Sequence, residues 1–351
     1  MWMLTNETPF AAERTWTRDE KGAEYWLVAV RASIIIDPDG RQYPASDQTE
    51  VQRFPVFAGD PLTTGLVTDS DFVLSKTVTD VLVAGNAITE GRQPKTQSHV
   101  RIKLANIDKT LSIVGNRRIY EGAIGPAMTQ PNPFVEMPIT WGRAYGGWDK
   151  QGATEAWEAE NPAGCGFATH PSHLFDSQAP NIEYSNDPYR GAYKGRSAGL
   201  GPIAHHWQPR VQYAGSYDKV WLDHRDPLPP VDFDRRYYRS APLDQQTLEP
   251  LVGYEEVRIG GMTVDGVLGF RLPRIIFDVI TTFKNTGDVR QTPTIHTLWL
   301  LPNQRRFEMV WLSALEVPPG REEKLVGTTV RIRPRTGAPK SVRESGIWSA
   351  T

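Results

Sequence analysis

The chain has 351 residues, with 39 Lys+Arg against 41 Asp+Glu and a formal net charge of −2. That balance leaves no global field to select nucleic acid or an anionic membrane as a partner. A single cysteine, Cys165, excludes an internal disulfide and suits a reducing compartment.

The first stretch, Met1 to Glu13, has no basic n-region and no apolar core, so no secretory signal is expected. Strand-type alternation then runs to about Tyr120. Trp26, Val28, Val30, Ala32, Ile34 and Ile36 fall on one face, and Asp37-Pro38-Asp39-Gly40 supplies a turn. This apolar run is far short of the ~20 residues of a membrane helix. Val100, Ile102 and Leu104 alternate with His99, Arg101 and Lys103, Asn106 to Asp108 turns the chain, and Leu111 and Ile113 begin the return strand. This spacing predicts a hairpin.

From Gly125 to Pro250 the chain is crowded with Pro, Gly, Asn, Tyr and Trp and loses its periodicity. Disordered segments are poor in aromatic residues, so this section is expected to be ordered but irregular, its loops pinned by buried rings. A short helix is expected near Leu243 to Pro250. Strand patterns return from Tyr254: Val257 and Ile259 before Gly260-Gly261, a turn at Asp265-Gly266, then alternation through Ile275, Phe277, Val279, Thr281 and Phe283. Phe307, Met309, Trp311 and Ser313 form one side of a later strand. The expected fold is mainly β, with sandwich-like antiparallel sheets joined by the long loop-rich central section and little helix. The expected regions are 1–124, an N-terminal β region; 125–250, the irregular central section; 251–333, a C-terminal β region; and 334–351, a flexible tail.

Groups that could carry chemistry lack the spacing it needs. His170 and His173 flank Pro171 in a loop and match no metal motif. Cys165 lies between glycines with no base in view. Gly195-Arg196-Ser197-Ala198-Gly199-Leu200-Gly201 has glycines but neither the strand nor the helix that frames a phosphate cradle. Asp218, Asp223, Asp226, Asp232 and Asp234 are divided by Pro227, Pro229 and Pro230, and Arg225, Arg235 and Arg236 can neutralise them. With eleven tryptophans in a β-rich chain, carbohydrate binding or hydrolysis stays open as an alternative. No catalytic residue, cofactor or metal is expected.

The central motifs are more specific in their order. Asn161-Pro162-x-Gly164-x-Gly166-Phe167 is followed by Trp207-x-Pro209-Arg210 and Gly215-x-Tyr217-Asp218-x-x-Trp221. Then come Leu228-Pro229-x-x-Asp232-Phe233-Asp234-x-x-Tyr237, Ala241-Pro242-x-Asp244-Gln245-Gln246 and Gly253-x-Glu255. Leu4-x-Asn6-x-Thr8-Pro9-Phe10 opens the series and Leu272-Pro273 closes it.

This ordered set, spanning roughly Trp2 to Arg333, resembles a domain-of-unknown-function family whose members accompany type VI secretion spike and toxin proteins. The resemblance implies a cytoplasmic adaptor or chaperone. Its partners would be a secreted toxin effector and the valine-glycine-repeat spike or its PAAR-repeat tip, with no nucleic acid, membrane insertion, catalysis or cofactor. Physically, the glycines, prolines and large rings of these motifs favour scaffolding, with Arg210 expected to pair with Asp218 or Asp232.

Overall fold

Three sheets carry the fold, as seen in a computed structural model that describes residues 2–191 and 194–334. Most of the tail expected over 334–351 lies outside them. The largest sheet has the order Ala11–Arg18, Glu24–Ile36, Arg306–Val317, Thr294–Leu301, Asp80–Val83, with Gln42–Pro44 also paired to Glu24–Ile36. A four-stranded sheet orders Met3–Asn6, Leu325–Ile332, Phe277–Phe283, Gly287–Gln291. A five-stranded sheet orders Ile182–Tyr184, Ile107–Val114, Gln97–Leu104, Glu256–Gly260, Val267–Arg271. The fold is mainly β and sandwich-like.

The alternation in Glu24–Ile36 decides the architecture. Trp26, Val28, Val30, Ala32, Ile34 and Ile36 point into one core, where they meet Phe277, Val279 and Val330 of the four-stranded sheet. Ile102, Leu104, Leu111, Val257 and Leu268 of the five-stranded sheet join the same cluster. Two sheets therefore cover one face of the third, and each large apolar side chain buried there contributes on the order of 1.5–3 kcal/mol. The Trp26 indole N–H, deep in this layer, donates to Thr328 Oγ1 at 2.8 Å and so ties two sheets together.

The predicted hairpin forms with Leu104 opposite Ile107. Its turn is tighter than the sequence suggests: Ala105 takes a positive φ of 48° and the return strand resumes at Ile107. Around Leu243 only one 3₁₀ turn forms, Leu243–Gln245, because Thr247 N–H bonds to Thr79 O and draws the chain out along the sheet edge. The one α-helix among the described residues, Lys219–His224, was not expected. Asp218 caps it, accepting from Trp221 N–H at 2.8 Å.

Candidate functional site

The opposite face of the six-stranded sheet buries an apolar cluster that includes Leu27, Ala29, Val73, Leu74 and Leu312, together with a set of ion pairs. Residues of Glu24–Ile36 that point away from the main core include Arg31 and Ser33, both buried. Arg31 donates to Glu308 Oε2 at 2.6 Å and to Asp71 Oδ2 at 3.0 Å. Burial pushes the Glu308 carboxyl up, but Arg31 and the Thr49 hydroxyl outweigh it and hold the carboxyl below its ordinary value. Lys76 pairs with Asp80 at 2.6 Å, and Asp80 also accepts from Ser240 N–H at 2.8 Å. These groups fasten the segment around 69–80 and the segment around 240 across the sheet. Sequence reading missed this layer. Its signal was a charged residue standing in each of two apolar strands, Arg31 and Glu308, which the register then brings onto one face.

The central motifs fall into two linked sets. In the first, Asn161 is fully buried and its Nδ2 donates to Trp141 O and Tyr145 O, each at 2.9 Å. Pro162 beside it is buried too. Gly164 has no room for a side chain: a Cβ would stand 2.5 Å from Asn161 Nδ2 and 2.6 Å from Ala144 O. Gly166 has φ +86°, and a Cβ there would meet the Pro180 ring at 2.9 Å. Trp141 crosses edge-on to the fully buried Trp207, with ring centroids 6.0 Å apart, and so joins this set to the next.

The second set runs from Trp207 to Tyr238. Pro209 follows a cis peptide bond and Arg210 behind it is buried. Arg210 does not pair with Asp218 or Asp232. Those two carboxylates are committed locally, Asp218 to its helix cap and Asp232 to Ser216 N–H and Oγ at 2.9 and 2.8 Å. Arg210 instead meets Asp69 at 2.9 Å and donates to Ile203 O and Tyr237 O at 2.6 and 3.0 Å. His205 Nε2 lies 3.2 Å from the same aspartate. Burial opposes ionisation of Asp69, yet the His205 hydrogen bond and the Arg210 charge hold its carboxyl well below the usual range.

Around this anchor the chain is closely tied. Gly215, φ +83°, passes so near Pro230 that a Cβ would lie 2.8 Å from it. Trp221 donates to Leu228 O at 2.8 Å, and Arg225 donates to Pro229 O at 2.9 Å. Phe233 packs edge-on against Tyr237 and Tyr238. Only part of the ring area expected to be buried is buried: Trp221, Phe233 and Tyr237 are half-buried and Tyr217 is exposed. This unit holds apolar side chains out to water, Tyr217 58%, Val220 66%, Leu222 61% and Val231 80% exposed, together termed the ledge. An apolar cleft of ≈ 470 Å³ opens elsewhere, between Thr63–Val67 and Trp141, with Leu200 and Pro202 on its wall.

Residues 21–312 match a family described as "Uncharacterized protein conserved in bacteria (DUF2169)". The chain belongs to this family. Comparison with curated proteins and with solved structures gave no match.

In this DUF2169 chain several of the groups that could carry chemistry are engaged in structure. Burial pushes the Cys165 thiol up to about 11, with Arg143 and Arg117 opposing weakly. The Gly195–Gly201 segment wraps two rings: Cβ atoms at Gly195 and Gly199 would stand 2.7 Å from Tyr145 and 2.6 Å from Trp141. His173 Nδ1 lies 2.8 Å from Asp149, while His170 Nδ1 is bonded to Ser172 Oγ at 2.7 Å. Among the described residues no three His, Cys, Asp or Glu are grouped to hold a metal ion. Asp234 is paired to Arg236 at 2.6 Å. No described helix is long and apolar enough to cross a membrane.

Proposed function

We propose that this chain is a cytoplasmic adaptor of a bacterial type VI secretion system, which binds a toxic effector and helps load it onto the spike or its PAAR-repeat tip. Two things support the reading. The ordered motif series resembles proteins that accompany such spikes and toxins. The observation that carries it is the ledge of Tyr217, Val220, Leu222 and Val231. Apolar groups held out to water on a closely hydrogen-bonded support suit a transient protein partner. The buried ion pairs beneath keep that support in one conformation before binding, which lowers the ordering cost of association.

In this reading the motif residues divide by role. Asn161, Pro162, Gly164, Gly166, Trp207, Pro209, Arg210, Gly215, Trp221, Pro229, Asp232, Phe233 and Tyr237 build the support. Asp218 caps the helix that displays Val220 and Leu222, and Tyr217 touches the partner. Co-purification of the tagged chain with the products of adjacent genes tests the reading. Retention of a toxin and a spike or tip protein supports it; retention of neither, with folded bait in excess, defeats it.

A further inference from the structure

Three tryptophans form a ladder from the core to the surface at the free edge of the six-stranded sheet. Trp26 is the buried rung. Trp16 stands directly opposite it in the antiparallel pairing, with ring centroids 5.0 Å apart. Trp2 lies edge-on to Trp16 at 5.3 Å and is 43% exposed. An open pocket of ≈ 380 Å³ is lined by Trp2 and Trp16 together with Thr17, Arg18, Glu24 and Glu322. Arg18 and Glu24 are paired at 2.6 Å on its rim, and the Trp2 indole N–H donates to Glu322 O at 3.2 Å.

Two polar atoms of this pocket's residues are unmet. Trp16 Nε1 and Glu322 Oε2 are both shielded from water and have no hydrogen-bond partner. A buried donor or acceptor left unpaired costs on the order of 1–3 kcal/mol, so a ligand that satisfies both gains from each. The first is a donor and the second an acceptor. A cation could serve only the carboxylate. Hydroxyl groups can serve either kind of atom, accepting from an indole N–H and donating to a carboxylate. A sugar ring carries such hydroxyls around an apolar C–H face that stacks on indole. Thr17, Arg18 and Glu24 add donors and acceptors for neighbouring hydroxyls. The platform is also preorganised, because Trp16 is held against a buried ring.

We propose that Trp2 and Trp16 form a saccharide-binding site, separate from the ledge and independent of the adaptor reading. The probes are cellotetraose, chitotetraose and maltotetraose, with choline as a cation control, followed by saturation-transfer NMR and tryptophan fluorescence on the full chain. At least one tetrasaccharide should bind with Kd between about 0.1 and 10 mM, and both W2A and E322Q should weaken it by about tenfold with an unchanged circular dichroism spectrum. W2A is the safer variant, since Trp2 is exposed and lies outside the buried core. The proposal is overturned if no tetrasaccharide gives saturation transfer at about 10 mM, if choline alone binds, or if binding survives both substitutions.

Discussion

Asp69 and Arg210 meet at 2.9 Å, a contact between two segments far apart in the chain. Both side chains are buried, and each has a second set of partners: His205 and the peptide oxygens of Ile203 and Tyr237. The pair fixes the base on which the displayed residues stand.

Removing one partner strands a buried charge. Asp69→Ala and Arg210→Ala should each lower stability by about 3–5 kcal/mol in urea titrations, and Arg210→Lys should not restore it because the forked donors are lost. The double variant Asp69→Ala/Arg210→Ala should be less destabilised than the sum of the singles. Additive losses would show that the two do not act as a unit.

The same pair makes stability depend on acid. In the fold Asp69 titrates below its ordinary 3.8, and Glu308 below its ordinary 4.5. Near pH 4 the unfolded chain therefore binds more protons than the folded one. The stability these groups contribute is complete above about pH 5 and falls as the pH drops through 4 and below. Asp71 acts in the opposite sense, because burial raises its carboxyl against the attraction of Arg31. Comparison of Asp69→Asn with wild type isolates the effect: the variant should be flatter with pH over this range. Parallel curves would remove Asp69 from the account.

Cys165 should be inert in the folded chain. With its thiol pushed up to about 11, the thiolate is a trace species at pH 8. Reaction with Ellman's reagent should be at least about a hundredfold slower in the native protein than in urea. Equal rates would mean that the partly buried thiol is as accessible in the fold as in the unfolded chain.

Gly164 and Gly40 separate crowding from backbone freedom. A Cβ at Gly164 collides with Asn161 and Ala144, while one at Gly40 meets nothing within 4 Å but takes φ +82°. Gly164→Ala should cost about 1–3 kcal/mol and disturb the Trp141–Trp207 contact seen in near-ultraviolet circular dichroism. Gly40→Ala should cost about 1 kcal/mol and leave that signal alone. The reverse order would contradict the packing described around Asn161.

The sheets were legible because period-2 alternation is a local signal. Trp26 through Ile36 announce their face without help from the rest of the chain, while the turn expected at Asn106 to Asp108 falls one residue earlier, between Leu104 and Ile107. The ionic layer was not legible, since Arg31, Asp71 and Glu308 come from three separated segments and meet only when two strands pair in register. The partner of Arg210 was misread for a related reason. Sequence proximity favoured Asp218 and Asp232, but short-range capping had already engaged both carboxylates. The helix Lys219–His224 is short and follows no apolar period, so only its Asp cap marked it.

The most direct test of the central claim is a binding measurement with purified wild type and Val220→Glu/Leu222→Glu, against any effector and spike-tip proteins that the adjacent genes encode. Both substituted residues are exposed, so the variant should unfold at the wild-type midpoint. The account predicts a complex with wild type in size-exclusion chromatography and at least about a tenfold loss of affinity in the variant. A wild-type protein that elutes alone from both candidates, or a variant that binds as well as wild type, would contradict it.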